Sequence, residues 1–125
     1  MNNLKELQKI VNLGKKEVQV ILTKDIKITL KSLTAKEESE IFLECADLPT
    51  MVFINTNKIQ TLARSIVEIN GERYEVKEGE EEVEFIKEKV KLIEQWGQNI
   101  VDVLFGKYAD MIKEIEKDFE KLEIK

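Results

Sequence analysis

The stretch "LARSIVEINGERYEV", residues 62–76, carries two periods at once. Leu62, Ala63, Ile66 and Val67 fall at helical spacing with Arg64 and Glu68 on the other side, whereas Asn70-Gly71 is a strong turn dipeptide and Tyr74 and Val76 alternate as in a strand. Asn and Gly both tolerate positive φ, so the pair can end a helix or close a type I′ turn equally well. The residues upstream extend the helical reading. Ile59 joins the same stripe, giving an expected helix over about 58–67, and the helix-poor "NTN" at 55–57 predicts a loop or short turn over 50–57.

Further upstream the period is 2. Val18, Val20 and Leu22 alternate with Gln19, Ile21 and Thr23, and Ile26, Ile28 and Leu30 alternate with Lys27, Thr29 and Lys31, which predicts a β-hairpin over 17–31 turning near Lys24-Asp25. Before it, Leu4, Leu7, Ile10 and Val11 stand at spacings of three and four, and Gly14 marks a stop, so 1–14 reads as a helix or arm. After it, Thr34 with Glu37 three residues on has the spacing of a capping box, ahead of Ile41, Phe42 and Cys45 on one face and a stop near Pro49.

Downstream of Gly71 the segment is short, polar and alternating, with a loop at Gly79 and acidic residues that favour a helix start. Val83, Ile86, Val90, Ile93 and Trp96 then keep helical spacing, "WGQN" interrupts, and a second stripe runs from Ile100 to Leu122. The expected fold class is therefore α+β: a small N-terminal antiparallel β-hairpin with a mainly α-helical remainder (33–125) ending in long amphipathic helices. At 125 residues the chain corresponds to a single domain, 1–125.

Composition narrows the function classes. Hydrophobic residues make up 42% and charged residues 36%, enough for a full core inside a charged surface. The formal charge is −5 and lysines alternate with glutamates, so no basic stripe suggests nucleic acid. No apolar run of about 18 residues and no leader stands out, so neither membrane insertion nor secretion is expected, and the cytoplasm is the expected site of action.

Little in the sequence carries chemistry. There is no histidine, which removes Ser-His, Cys-His and most zinc arrangements, and "GEEEVE" at 79–84 matches neither a calcium loop nor a phosphate loop. Paired carboxylates would need a cleft with aromatic platforms, and the aromatics here are few and mostly at core spacing. The single cysteine, Cys45, shares a helix face with Ile41 and Phe42 and reads as a small core residue. No catalytic residue, metal ligand or cofactor is expected. Trp96, the only tryptophan, reads either as a core residue locking the corner between the last two helices or as an interface anchor.

The order of features is more telling than any one residue. A hairpin leads to Leu33, Thr34, Glu37 and Glu38; then come Leu62, Ala63, Ser65, Ile66, Ile69, Asn70 and Gly71, an acidic spacer, and a helix with Val101, Leu104 and Tyr108. Over about residues 26–112 this order resembles the small tail assembly and baseplate assembly proteins of contractile-tailed phages and phage-like particles. The N-terminal segment 1–14 has no counterpart in that pattern. The resemblance implies a helix ending near Ile69, with "NG" turning the chain into a short extended piece on its partner-facing side. It also implies a non-enzymatic tail assembly factor in the host-cell cytoplasm, in the first place a tail assembly chaperone binding a tail protein such as the tape measure. A structural baseplate or tail subunit of the virion is the alternative within that setting, and a cellular adaptor or regulatory protein with an acidic helical surface is the alternative outside it.

The residues independently suggest where a partner sits. The last helix is longer than a domain this small readily covers, so part of its stripe is expected to face a tail or baseplate protein or a second copy of the chain. Val101 and Leu104 are expected in the core. The candidate partner-binding residues are Tyr108, Met111, Ile115, Phe119 and Leu122, with the distal end the better candidate.

Overall fold

The alternation over 17–31 becomes the first two strands of the computed structural model, which describes residues 2–74 and 80–123. β1 (Glu17–Thr23) and β2 (Ile26–Lys31) pair antiparallel, so Val18, Val20, Ile28 and Leu30 share one face while Glu17, Gln19, Thr29 and Lys31 share the other. The first face is the floor of the core, with Val20, Ile28 and Leu30 buried.

The hairpin is only half of a larger sheet. β2 also pairs antiparallel with β3 (Ile66–Ile69), and β3 with β4 (Glu72–Arg73), giving four strands in chain order. The expected helix over 58–67, and the helix end near Ile69, are corrected here: the helix stops at Ser65 and the chain enters β3 with no loop between. Ile66 takes φ −72° and ψ 112° while its N–H still donates to the Leu62 carbonyl, so one residue serves as helix cap and first strand residue.

Two conditions make that junction work. Ile66 and Val67 are β-branched and suit a strand, and Ile66 lies opposite the buried Leu30, with a one-residue bulge before Glu68 meets Thr29. Beyond them, Asn70 (φ 52°) and Gly71 (φ 83°) both take the positive φ of a type I′ turn and close the β3–β4 hairpin. The Asn70 side chain accepts from the Lys27 N–H at 2.8 Å, and its own N–H donates to the Lys27 carbonyl at 2.8 Å.

α2 (Ala35–Cys45) begins with the expected capping box. The Glu37 N–H donates to Thr34 Oγ1 (3.2 Å) and the Thr34 N–H to Glu37 Oε1 (3.0 Å). Ile41 and Cys45 are buried, but Phe42 is 63% exposed and does not share their face. α3 (Thr50–Ser65) starts directly after Pro49, so the loop expected over 50–57 is helix. Low propensity costs only tenths of a kcal/mol per residue at "NTN", and packing outweighs it: Gln98 donates to Asn55 Oδ1 (2.8 Å) and Lys58 pairs with Asp102 (2.9 Å), clipping α3 to the start of the last helix.

α1 (Asn2–Ile10), α4 (Glu80–Ile93) and α5 (Gln98–Glu123) complete the described elements. Val101, Leu104, Tyr108 and Met111 of α5 join Leu62 and Ala63 of α3, Ile93 of α4 and the apolar sheet face in one buried cluster. Trp96, between α4 and α5, is partly buried against it. The alternation expected at Val76 and the loop at Gly79 lie outside the described residues.

Candidate partner-binding surface

The five α5 residues expected to meet a partner have different surroundings. Tyr108 and Met111 are 7% and 2% exposed and belong to the core of the chain. The sheet and α3 cover more of α5 than the length argument allowed, because the spacing of Val101 and Leu104 continues through Tyr108 and Met111 over the same apolar floor. Burial, with Glu38 and Glu37 nearby, pushes the Tyr108 phenol up to about 12.

Ile115 is half-buried against the core. The turn between α1 and β1 packs there: a Cβ on Gly14 would stand 3.8 Å from both Ile115 and Phe119. That turn is pinned from two sides, by Ser32 Oγ donating to the Gly14 carbonyl (3.0 Å) and by Lys16 bonded to Glu114 (2.7 Å). Phe119 remains 40% exposed, and the side chain of Leu122 lies outside the described residues. The distal stripe is thus partly occupied by the chain's own turn.

Two other surfaces are more open. On α1, Leu4, Leu7 and Ile10, with Val11 just past its end, are each more than half exposed. At the corner between α2 and α3, Leu43 is 76% and Met51 79% exposed, flanked by Phe42 and Val52. The sequence did hold a signal for the corner. Successive helical residues turn by about 100°, so "IFL" at 41–43 spans too wide an arc for all three side chains to face the core with Cys45. α2 and its link carry Glu37, Glu38, Glu40, Glu44 and Asp47 against one lysine, Lys36, with Glu37 paired to Lys31 and Glu40 to Arg64.

Away from the corner, near the C-terminal end of α3, a polar network ties that helix to α2. The buried Arg64 donates to the Gln60 side chain (2.7 Å) and carbonyl (3.1 Å) and to Glu40 (3.3 Å). Next to it, a groove of about 440 Å³ between α2 and α4 has Leu43, Val83, Ile86 and Val90 in its lining and glutamates and lysines among its rim residues. On the open sheet face Arg73 bridges Glu17 (2.8 Å) and Glu68 (3.3 Å), and the guanidinium holds the Glu17 carboxyl below its usual range.

Among the described residues, Lys89 of α4 has an amine strongly perturbed by its surroundings. Its Nζ donates to the Ile66 carbonyl at 2.6 Å and lies 5.1 Å from the Phe85 ring centre, and burial, with Lys31 nearby, lowers it to about 8. It caps the carbonyl at the helix–strand junction, beside a 150 Å³ apolar pocket whose lining includes Tyr74, Phe85 and Trp96. Cys45 is buried, and burial raises its thiol above the ordinary range. Among the described residues no group of three or more His, Cys, Asp or Glu is placed to hold a metal ion, and no described helix is long and apolar enough to cross a membrane. No protein-family model, characterised protein or solved structure matches the chain.

Proposed function

We propose that the chain is a non-enzymatic assembly factor of a contractile, phage-type tail, acting in the host cytoplasm as a tail assembly chaperone. Its client is a tail protein such as the tape measure, held by an apolar helix that lies on the α2–α3 corner. The observation that carries this reading is the set of large apolar side chains left in solvent about the α2–α3 corner, Leu43, Met51 and Val52, with Phe42 on the side of α2 that faces α5, on two helices that the Arg64–Glu40 contact ties together. Exposed apolar side chains on a tied pair of helices suit helix-in-groove recognition, and the chain's net negative charge keeps the free protein soluble and favours a basic client segment. This moves the proposed contact from the end of α5 to the corner.

Co-expression with the tail proteins encoded beside it tests the proposal. One of them should co-purify with the wild type and be lost with the pair Leu43→Glu, Met51→Glu, whose fold should persist because both side chains lie in solvent. Co-purification with none of them overturns the assignment. Mass spectrometry of finished particles then separates a chaperone, which is absent, from a resident baseplate or tail subunit at fixed stoichiometry.

A further inference from the structure

β1 is the long edge of the sheet. In the strand order β1-β2-β3-β4 the opposite edge is the short β4 (Glu72–Arg73), whereas β1 runs Glu17–Thr23. Which of its main-chain groups face outward follows from the pairing. The Ser32 N–H donates to the Lys16 carbonyl at 2.9 Å, so Lys16, and with it Val18 and Val20, turn their N–H and C=O groups to β2. The alternate residues of β2 point the other way, as the Lys27 carbonyl does in accepting the Asn70 N–H. Glu17, Gln19 and Ile21 therefore present their N–H and C=O groups at the free edge, where nothing among the described residues bonds them. The devices that usually close such an edge are missing here. β1 holds no proline, and its side chains on the core side are Val18, Val20 and Leu22, none of them charged. Gln19 and Ile21 are exposed, Ile21 at 66%.

We infer that two copies of the chain join edge to edge, β1 antiparallel to β1 about a two-fold axis, into one continuous sheet. The strand itself sets the register. Its pairing with β2 slips between Ile21 and Thr23, so the regular stretch is 17–21 and its centre is Gln19. Centred there, Gln19 faces Gln19 of the second copy and Glu17 faces its Ile21, each pair exchanging both N–H···O bonds, with Val18 against Val20 on the core side. No like charges are opposed, and the two Gln19 amides, each donor and acceptor, can bond one another across the axis. Moving the axis one residue toward the turn sets Lys16 opposite Lys24, and moving it two sets Glu17 opposite Asp25. The occupant that β1 matches is therefore β1. The contact is isologous, so it consumes both edges and stops at two copies. It lies at the low end of specific interfaces, so the dimer is weak and concentration-dependent. It uses no residue of the α2–α3 corner and stands apart from the client proposed above.

Analytical ultracentrifugation of the purified chain is the first test: the average mass should climb from monomer to dimer with concentration and go no further. Gln19→Pro removes an N–H that the β1–β2 ladder does not use, so circular dichroism should overlay the wild type while the chain stays monomeric. Gln19→Lys, which sets two ammonium groups face to face, takes its place if the spectra differ. Gln19→Cys should give a disulfide-linked dimer on mild oxidation, because hydrogen-bonded partners hold their Cα atoms about 5.5 Å apart, within disulfide reach. Thr23→Cys should not, since the same register leaves its two copies roughly 27 Å apart. Cys45 is buried and common to every variant. A wild type that stays monomeric at every concentration overturns the proposal and leaves the edge to a strand of another protein. A folded Gln19→Pro or Gln19→Lys chain that dimerises like the wild type also overturns it, by placing the interface elsewhere, as does a cross-link at Thr23 in place of Gln19.

Discussion

At Asn70-Gly71 the side chains decide a question that hydrophobic spacing leaves open. Both residues hold positive φ, and no atom lies within 4 Å of where a Cβ on Gly71 would stand, so Gly71→Ala meets only the conformational cost of that backbone. It should lose about 1 kcal/mol, read as a lower urea midpoint. Asn70→Ala should lose more, since it also gives up the bond to the Lys27 N–H. Lys89 makes a prediction of a different kind. Its amine falls from 10.5 to about 8 on folding, so between those values the unfolded chain holds a proton that the folded chain has released. Stability therefore rises with pH through that window and is lowest below it, where the half-buried charge is retained. Urea midpoints should increase from about pH 8 to about pH 10, and Lys89→Met should flatten the increase. Above about 10 the raised Tyr108 phenol works the other way: the unfolded chain loses that proton first, and stability declines.

Among the elements, those with local signals were legible. The β1–β2 hairpin showed in strict alternation, α2 in Thr34 and Glu37, and α5 in its long stripe, and each forms at or near the expected bounds. β3 was hidden because Ile66 and Val67 satisfy a helical stripe and a strand equally, and what selects the strand is Leu30, thirty-six residues earlier in the chain. The first turns of α3 were hidden because "NTN" argues against helix, and Gln98 and Lys58 supply the tertiary contacts that override it. The α5 surface was misjudged for a related reason. Spacing shows that a stripe exists but not how far other elements cover it, and neither β3 nor the packing of the Gly14 turn on α5 was foreseen. Energetics should follow the cover along α5. Leu104→Ala, at a fully buried position, should cost about 2–5 kcal/mol, whereas Ile115→Ala should cost roughly 1 kcal/mol and Phe119→Ala less. A urea series across the three reads the gradient. Equal losses at Leu104 and Phe119 would mean that the end of α5 is covered far more fully than its exposure indicates.

Taken whole, the molecule places most of its buried apolar side chains in one cluster fed by the sheet, α3, α4 and α5, with Ile41 and Cys45 of α2 buried outside it, and no described side chain of α1 is among them. A cluster shared by sheet and helices gives way as a unit, so thermal unfolding should be a single cooperative transition. α1 should matter little to it. Its apolar side chains are largely in solvent, and the contacts that close the distal end of α5 come from Gly14 and Lys16, beyond the helix. Deleting residues 1–12 should therefore move the melting temperature by less than the roughly 4 °C that corresponds to 1 kcal/mol in a chain of this size. The same deletion should leave co-purification of a client intact, because the α2–α3 corner is untouched. Differential scanning calorimetry of the truncated chain, with the co-expression test repeated on it, checks both outcomes. A large fall in melting temperature would show that α1 folds back over the core, and its exposed apolar face would then have to be abandoned.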